Sequence, residues 1–434
     1  MVPEPRLSRR ERLVLDAVRA DEVVTDLTAL VRIPSVIGTD AEHEVQAWCA
    51  ERMRVLDLAV DHWRIDLHQA YADPAFPGAE VERTEAWGCV GTLQPAAAGD
   101  GGAAPPGTPA LVLNGHVDVV PAGPPELWRA RAPFGGRVDA TGTMWGRGTC
   151  DMKAGVAAVF GAVSALRRAG VASRRPLAVH TVIGEEDGGI GTFATLRRGH
   201  RGEACLIAEP TARDLVVANA GALTFRLEVA GRAAHAATRS HGVSAVEKFE
   251  LLHAALRELE TTRCTDSDPL LAHLPLAYPI SIGTLHAGGW SSTVPEAAVA
   301  DGRYGVRLDE SVDQARSELE QAVAAACAAD DWLAAHPARV SWPGGTFASG
   351  RLRDGDPLLP DTREAVRDVL GTPPAVRGAP YGSDLRQYTA AGVPTLHYGP
   401  GDATHAHAVD EHVQLDDVVR CARVYALLAL RRCG

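Results

Sequence analysis

The fold is decided by two neighbouring runs, LVLNGHVDVV at residues 111–120 and MWGRGTCDMK at residues 144–153. The first is an apolar run that delivers His116 and Asp118 at its end. In an extended strand, side chains at i and i+2 share a face, so Asp118 reaches the neighbourhood of the His116 imidazole. The second closes with Gly146, Gly148 and then Asp151, at the mouth of an Ala/Gly-rich helical pattern. A histidine with a nearby carboxylate, followed by another aspartate, is what a metal site requires from its first contributors.

Outward from that stretch, residues 21–56 read as two amphipathic helices around the turn Ile33-Pro34-Ser35. The second starts near Thr39 and Asp40, with Glu42 and Glu44 in its first turn, where acidic residues favour a helix start. Residues 89–93 and 111–114 read as strands, and the Pro/Gly/Ala-rich residues 95–109 between them as a flexible surface loop. A helix over 153–169 is followed by apolar strands at 176–183 and 204–208. These end at Gly184-Glu185-Glu186-Asp187-Gly188-Gly189 and at Glu209-Pro210-Thr211. Strands alternating with helices, with polar residues at strand C-terminal ends, imply an α/β domain with a largely parallel sheet. Ligands bind such sheets at those ends.

The pattern changes after Gly221. Strands at 223–229, 279–285, 297–306 and 338–342 and helices at 243–260 and 312–329 give the order β-α-β-β-α-β. That order describes a small α+β unit with helices on one face. The α/β pattern resumes at Leu358, with a helix over 361–370 and a strand over 394–398. The expected division is therefore a catalytic domain in two parts, 1–221 and 346–434, around an inserted domain at 222–345. There is no internal repeat.

A chain of 434 residues can bury a large core and form two domains. Its hydrophobic content of 46% and charged content of 23% are those of an ordinary globular protein. The net charge of −12 leaves no basic surplus for phosphates and argues against nucleic acid as a partner. No apolar run approaches the roughly 18 residues that span a bilayer, and residues 1–18 lack the apolar region of a secretory signal. The eight cysteines are scattered without close pairs, which points to reduced thiols in a cytoplasm and away from thiolate-held zinc.

Five candidate ligands stand at element ends or in Gly-rich turns: His116, Asp151, Glu186, Glu209 and His407. Imidazole and carboxylate donors without thiolate suit zinc, and also cobalt or manganese. With five of them, one carboxylate can bridge two ions roughly 3.5–4 Å apart, an arrangement that activates water and polarises a carbonyl. A carboxylate that ligates a metal is committed to it, so the neighbouring Glu185 is the natural general base. Asp118 would accept the second N–H of His116. Each feature alone is weak. A histidine at a strand end is ordinarily a hydrogen-bonded structural residue, and Glu-Glu-Asp before Gly-Gly is ordinarily a solvated turn. Their joint occurrence is what carries weight.

The blocks GHVDVVP (115–121), GRGTCDMKAG (146–155), GEEDGGIG (184–191), AEPT (208–211), YGSDLRQY (381–388), GVPTLHYGPG (392–401) and AHAVDEHV (406–413) occur in that order. Together they resemble the co-catalytic zinc amidohydrolases and peptidases that include acetylornithine deacetylase, succinyl-diaminopimelate desuccinylase, aminoacylase and the glutamate carboxypeptidases. The resemblance runs from about Leu30 to about Val418. It implies two zinc ions bridged by Asp151, with Glu185 as base and then acid to the leaving amine. It leaves the pairing open: His116 and Glu209 could complete opposite sites. In related proteins, the AEPT-type glutamate shares the ion of the HxD histidine, and the Glu-Glu site pairs with the C-terminal histidine. His407 is preferred to His405 because it stands in the H-x-x-Asp-Glu spacing that ends at Glu411.

GRAAHAATRSHGVSA (231–245) resembles the family's lid and dimerisation domain. This implies a homodimer in which His235 reaches the partner's active site and supports the oxyanion. Arg386 in GSDLR resembles a position that binds a substrate carboxylate, for which a bidentate guanidinium is suited; a salt bridge to a neighbouring Asp is the alternative. The chain departs from the pattern at Ser292, where many relatives have Asn, and at the end of the next strand, where Arg303 and Arg307 compete for one position. The expectation is a cytoplasmic two-metal hydrolase of N-acyl amino acids. The alternatives are a dipeptidase or carboxypeptidase of the same family, and an inactive binding protein that keeps the fold.

Overall fold

In a computed structural model that describes residues 7–95, 107–129, 131–171, 173–265 and 267–434, the run at 111 forms the strand Leu111–His116, buried at every position. Leu177–Val182 and Cys205–Ile207 lie parallel on its two sides, and Thr395–His397 is parallel to Cys205–Ile207. Strands covered on both faces carry continuous apolar runs rather than alternation, as these do. The flanks are antiparallel: Trp87–Leu93 pairs with Leu177–Val182, Ala59–Arg64 with Trp87–Leu93, and Leu215–Asn219 with Thr395–His397. The α/β class is thus the observed one, with a mixed sheet that is parallel at its centre and flanked by helices. Most of the loop read at 95–109 lies outside the described residues.

Helix Lys153–Arg168 packs against Ala20–Arg32 and against the C-terminal helix Leu415–Cys433. A glycine in its first turn sets how close it comes to the sheet. A Cβ on Gly155 would lie 2.1 Å from the carbonyl oxygen of Ala208. His412–Gln414, Thr143–Trp145 and Arg137–Val138 form a separate three-stranded antiparallel sheet. It joins the MWGRGTCDMK run to the segment that follows His407.

The chain divides into two compact units. The first comprises the residues up to Val217, Arg351–Arg377 and Gln387–Gly434; the second comprises Ala218–Gly350 and Gly378–Arg386. These limits differ from 222–345, because the backbone N–H of Ala220 donates to Ala379 and the Asn219 amide to the carbonyl of Tyr381. The second unit is a sheet in the order Ile280–Ala287, Ala297–Val306, Gly221–Ala230, Arg339–Ser341, antiparallel throughout. Leu223, Phe225, Leu227 and Val229 are buried in alternation with Thr224, Arg226 and Glu228. Their buried face joins a core with Phe249, Leu252 and Leu256 of helix Ala245–Thr265 and Leu319 and Val323 of helix Val312–Ala328. The order β-α-β-β-α-β is present, with an added short helix Asp331–Ala335.

All eight cysteines are free thiols. No helix among the described residues is long and apolar enough to cross a membrane. The close approach at Gly155 generates a test. Alanine in a helix interior ordinarily stabilises by up to about 1 kcal/mol relative to glycine, but here the methyl would strike the Ala208 carbonyl. Gly155→Ala is expected to lower the unfolding free energy in urea by about 1–3 kcal/mol. A variant as stable as the parent or more so contradicts the tight helix–sheet contact.

Candidate metal centre

Every candidate side chain but Asp151 follows one of the parallel strands at its C-terminal end, where such sheets hold ligands. His116 is the last residue of Leu111–His116. Glu185 and Glu186 open the 3-10 turn Glu185–Asp187 that follows Leu177–Val182. Glu209 stands two residues after Cys205–Ile207, and His407 lies in the segment after Thr395–His397. Asp151 comes from the turn before helix Lys153–Arg168.

Asp151 stands in the middle. Its Oδ1 lies 3.0 Å from Nε2 of His116, and its Oδ2 lies 3.5 Å from Nε2 of His407. On the first side, Glu209 Oε1 is 3.9 Å from His116 Nε2. On the second, Glu186 Oε2 is 2.9 Å from His407 Nε2. The residues therefore group as His116 with Glu209 and His407 with Glu186, with Asp151 common to both. Donor atoms of His116, Asp151 and Glu186 lie within 4.8 Å of one another, and so do those of His116, Glu185 and Glu209. Nitrogen and carboxylate oxygen without sulfur, converging at this spacing, are a donor set that fits zinc-type divalent ions.

Asp118 faces Nδ1 of His116 with both its backbone carbonyl and its carboxylate. Nδ1 of His116 is 3.0 Å from the backbone carbonyl of Asp118 and 3.6 Å from its Oδ1. A carbonyl only accepts, so a hydrogen sits on Nδ1, and Nε2 is the ring atom turned toward Asp151. The Asp118 carboxylate also accepts the backbone N–H of Glu186 through Oδ2 at 3.2 Å. One residue thereby fixes both His116 and the Glu185-Glu186 turn.

Burial opposes charge on both histidines, yet the surrounding carboxylates win. The proton affinity of His116 rises well above the usual range against Asp118 and Asp151. Burial lowers His407, but Glu186 and Asp151 push it up to about 11. Burial, and then Asp151, push Glu186 up. Burial also penalises the Asp151 carboxylate, but His116 and His407 hold it well below its ordinary value.

The sequence reading missed the residues that hold Asp151. Glu411 Oε1 accepts the backbone N–H groups of Cys150 at 2.8 Å and Asp151 at 3.0 Å. Its Oε2 accepts from Arg147 Nη1 at 2.6 Å, and Arg147 Nη2 donates to the His407 carbonyl at 3.3 Å. Both residues stand inside quoted blocks, so the signal was present; their pairing across 264 positions was not. His405 is stacked on His412 at 4.2 Å, and the His412 ring is tilted against Trp145 at 4.3 Å.

His235 and Arg386 belong to the second unit. His235 is exposed and caps a short 3-10 turn, with Nδ1 accepting the N–H of Ala237 at 3.1 Å. The Arg386 guanidinium lies 4.1 Å over the Phe347 ring, donates to the Ser383 carbonyl at 2.7 Å and stands 3.9 Å from Asp384. Arg303 lies 5.2 Å from the centre of the same Phe347 ring, whereas Arg307 stands 3.7 Å from Glu318.

Residues 112–431 match the model of Peptidase family M20/M25/M40. A succinyl-diaminopimelate desuccinylase of Alkalilimnicola ehrlichii is 32% identical over 341 residues, covering 75% of this chain and 84% of that protein. An N-formyl-4-amino-5-aminomethyl-2-methylpyrimidine deformylase of Bacillus subtilis is 26% identical over 415 residues, covering 88% and 87%. Among solved structures, a Saccharomyces cerevisiae di-peptidase superposes with a TM-score of 0.77 at 14% identity, covering 98% of this chain and 99% of that one. Human carnosine dipeptidase 1 does so with a TM-score of 0.74 at 15% identity, covering 97% and 99%. The chain belongs to Peptidase family M20/M25/M40, a metal-dependent family, and is a hydrolytic enzyme acting on amide bonds.

Proposed function

We propose that the protein is a two-metal deacylase that hydrolyses the amide of N-acyl amino acids. The observation that carries this reading is the division of the Asp151 carboxylate, one oxygen toward His116 and the other toward His407. His116, Asp151 and Glu209 would hold one divalent ion, and His407, Asp151 and Glu186 the other, zinc by donor chemistry, with cobalt or manganese able to replace it. Bound there, the ions would lower the pKa of a water molecule and polarise the scissile carbonyl.

Glu185 is the general base: it takes the proton from the attacking water and delivers it to the nitrogen of the departing amine. It is 7% exposed, and its carboxylate lies within the 4.8 Å grouping with His116 and Glu209. Asp118 is the orienting residue for His116. His235 supports the oxyanion from the partner of a homodimer. Its Nδ1 accepts a backbone N–H, which leaves the hydrogen of the neutral ring on Nε2 as a donor. A homodimer through the second unit is supported by the edge strand Ile280–Ala287, exposed from residue 283 onward, since an open strand edge is a template for pairing. Arg386 binds a substrate carboxylate. Relatives named for removing succinyl and formyl groups support a deacylase over a dipeptidase, and free thiols support a cytoplasmic setting.

Glu185→Gln is expected to keep its metal content and lose kcat by about 10²–10⁴-fold; wild-type turnover in that variant sinks the mechanism. His407→Ala is expected to bind one ion fewer per chain by elemental analysis, and His405→Ala to bind as many as the parent. The reverse result would exchange their roles. A panel of N-acetyl, N-succinyl and N-formyl amino acids beside dipeptides, assayed with zinc or cobalt, tests the substrate class. A higher kcat/KM on the dipeptides overturns the deacylase reading.

A further inference from the structure

The turn that carries Glu185 and Glu186 is gripped from behind by a buried ion network 104 residues away in sequence. Arg83 donates from Nε and Nη2 to Glu42, both at 2.9 Å, and from Nη1 and Nη2 to Asp187 at 2.7 and 2.9 Å. The side chains of Arg83, Glu42 and Asp187 are 1%, 4% and 1% exposed. Asp187 is the third residue of the turn, directly after Glu186. The segment around Arg83 follows the turn closely. Val81 N–H donates to the Asp187 carboxylate at 3.3 Å, and Glu80 N–H to its carbonyl at 3.2 Å. A Cβ on Gly188 would lie 2.2 Å from the Gly78 carbonyl oxygen. On the other side, Glu186 N–H is held by Asp118.

A guanidinium is the group this arrangement requires. Its planar fork engages two carboxylates in pairs of parallel hydrogen bonds, which a lysine ammonium does not reproduce. Glu42 in turn stands in the first turn of helix Ala41–Val55, so Arg83 ties the Glu185 turn to a rigid element. We propose that Arg83 is a positioning residue for the hydrolytic reaction. By spanning Glu42 and Asp187 it sets the place and direction from which Glu185 meets the substrate. The proposal rests on the reading of Glu185 as general base. Small displacements matter for such a group, since a misplacement of about 1 Å lowers rates by about 10²-fold.

A purely structural role would show differently, because removing one partner of a buried ion network destabilises by leaving an unpaired charge, whereas neutralising all partners together does not. Two variants of the full chain separate the cases: Arg83→Lys, and the triple variant Glu42→Gln, Arg83→Met, Asp187→Asn. For each, kcat and KM are measured on the panel substrate that the parent turns over fastest. The rate is expressed per folded, metal-loaded chain, from elemental analysis and the unfolding curve. On that scale kcat is expected to fall about 10²-fold in both variants, with KM within about threefold of the parent. A kcat per loaded chain within about threefold of the parent, in either variant, overturns the proposal. Where the triple variant yields no folded protein, Arg83→Lys decides alone. Glu185→Gln run beside them isolates the underlying reading. If it is inactive while the Arg83 variants are not, only the positioning role falls; if it is active, the assignment of the base falls.

Discussion

Asp151 offers one oxygen to His116 at 3.0 Å and the other to His407 at 3.5 Å, from a backbone N–H that Glu411 holds at 3.0 Å. Glu185, Glu186 and Glu209 converge on the same two histidines. Carboxylates gathered out of water repel one another and lose hydration, so a cluster of this kind requires cations among its members. Within the chain that demand is visible on both histidines, whose proton affinity is driven upward. Divalent ions meet the same demand with the donor geometry that imidazole and carboxylate prefer. The fold can be read as the means of keeping these acids together.

Three buried side chains hold the segments that supply them. Arg147 reaches Glu411 and the His407 carbonyl, and so links the Asp151 turn to the C-terminal segment. Lys153, two residues beyond Asp151, donates Nζ to the carbonyls of Leu30 at 2.9 Å and Ile33 at 2.7 Å, at the end of helix Ala20–Arg32. Burial pushes its ammonium down to about 7. Arg83 joins Glu42 to Asp187. Each spans a long stretch of chain with charge-assisted hydrogen bonds, which are strong and directional where water is excluded.

That division explains what a reader of the sequence can and cannot see. The ligand types at strand ends were legible, because period-2 geometry and Gly-rich exits are local. His116 with Asp118 followed from spacing, although the backbone carbonyl of Asp118, rather than its carboxylate, makes the shorter contact. The central strands were legible as apolar runs. The edge strand Ala59–Arg64 was not, since its half-buried residues AVDHWR show neither a continuous run nor clean alternation. Helix Leu415–Cys433 also passed unread, with an apolar content spread so widely that most of its second half is buried. Glu411, Arg147 and Arg83 act only through partners far away in sequence, and spacing carries no trace of such pairs.

The two arginines that compete for one position in the sequence follow the same logic. Arg303 and Arg307 are equivalent by sequence, four residues apart on or beside one strand, but tertiary contacts separate them. The Arg307 backbone N–H donates to Glu310 at 2.8 Å and its guanidinium stands 3.7 Å from Glu318, which also faces Arg263. Arg303 is exposed, donates to the Thr224 hydroxyl at 3.3 Å and lies against Phe347, the ring that also carries Arg386. Positions that spacing makes equivalent thus stand in different surroundings, Arg303 against the Phe347 ring and Arg307 beside Glu310 and Glu318.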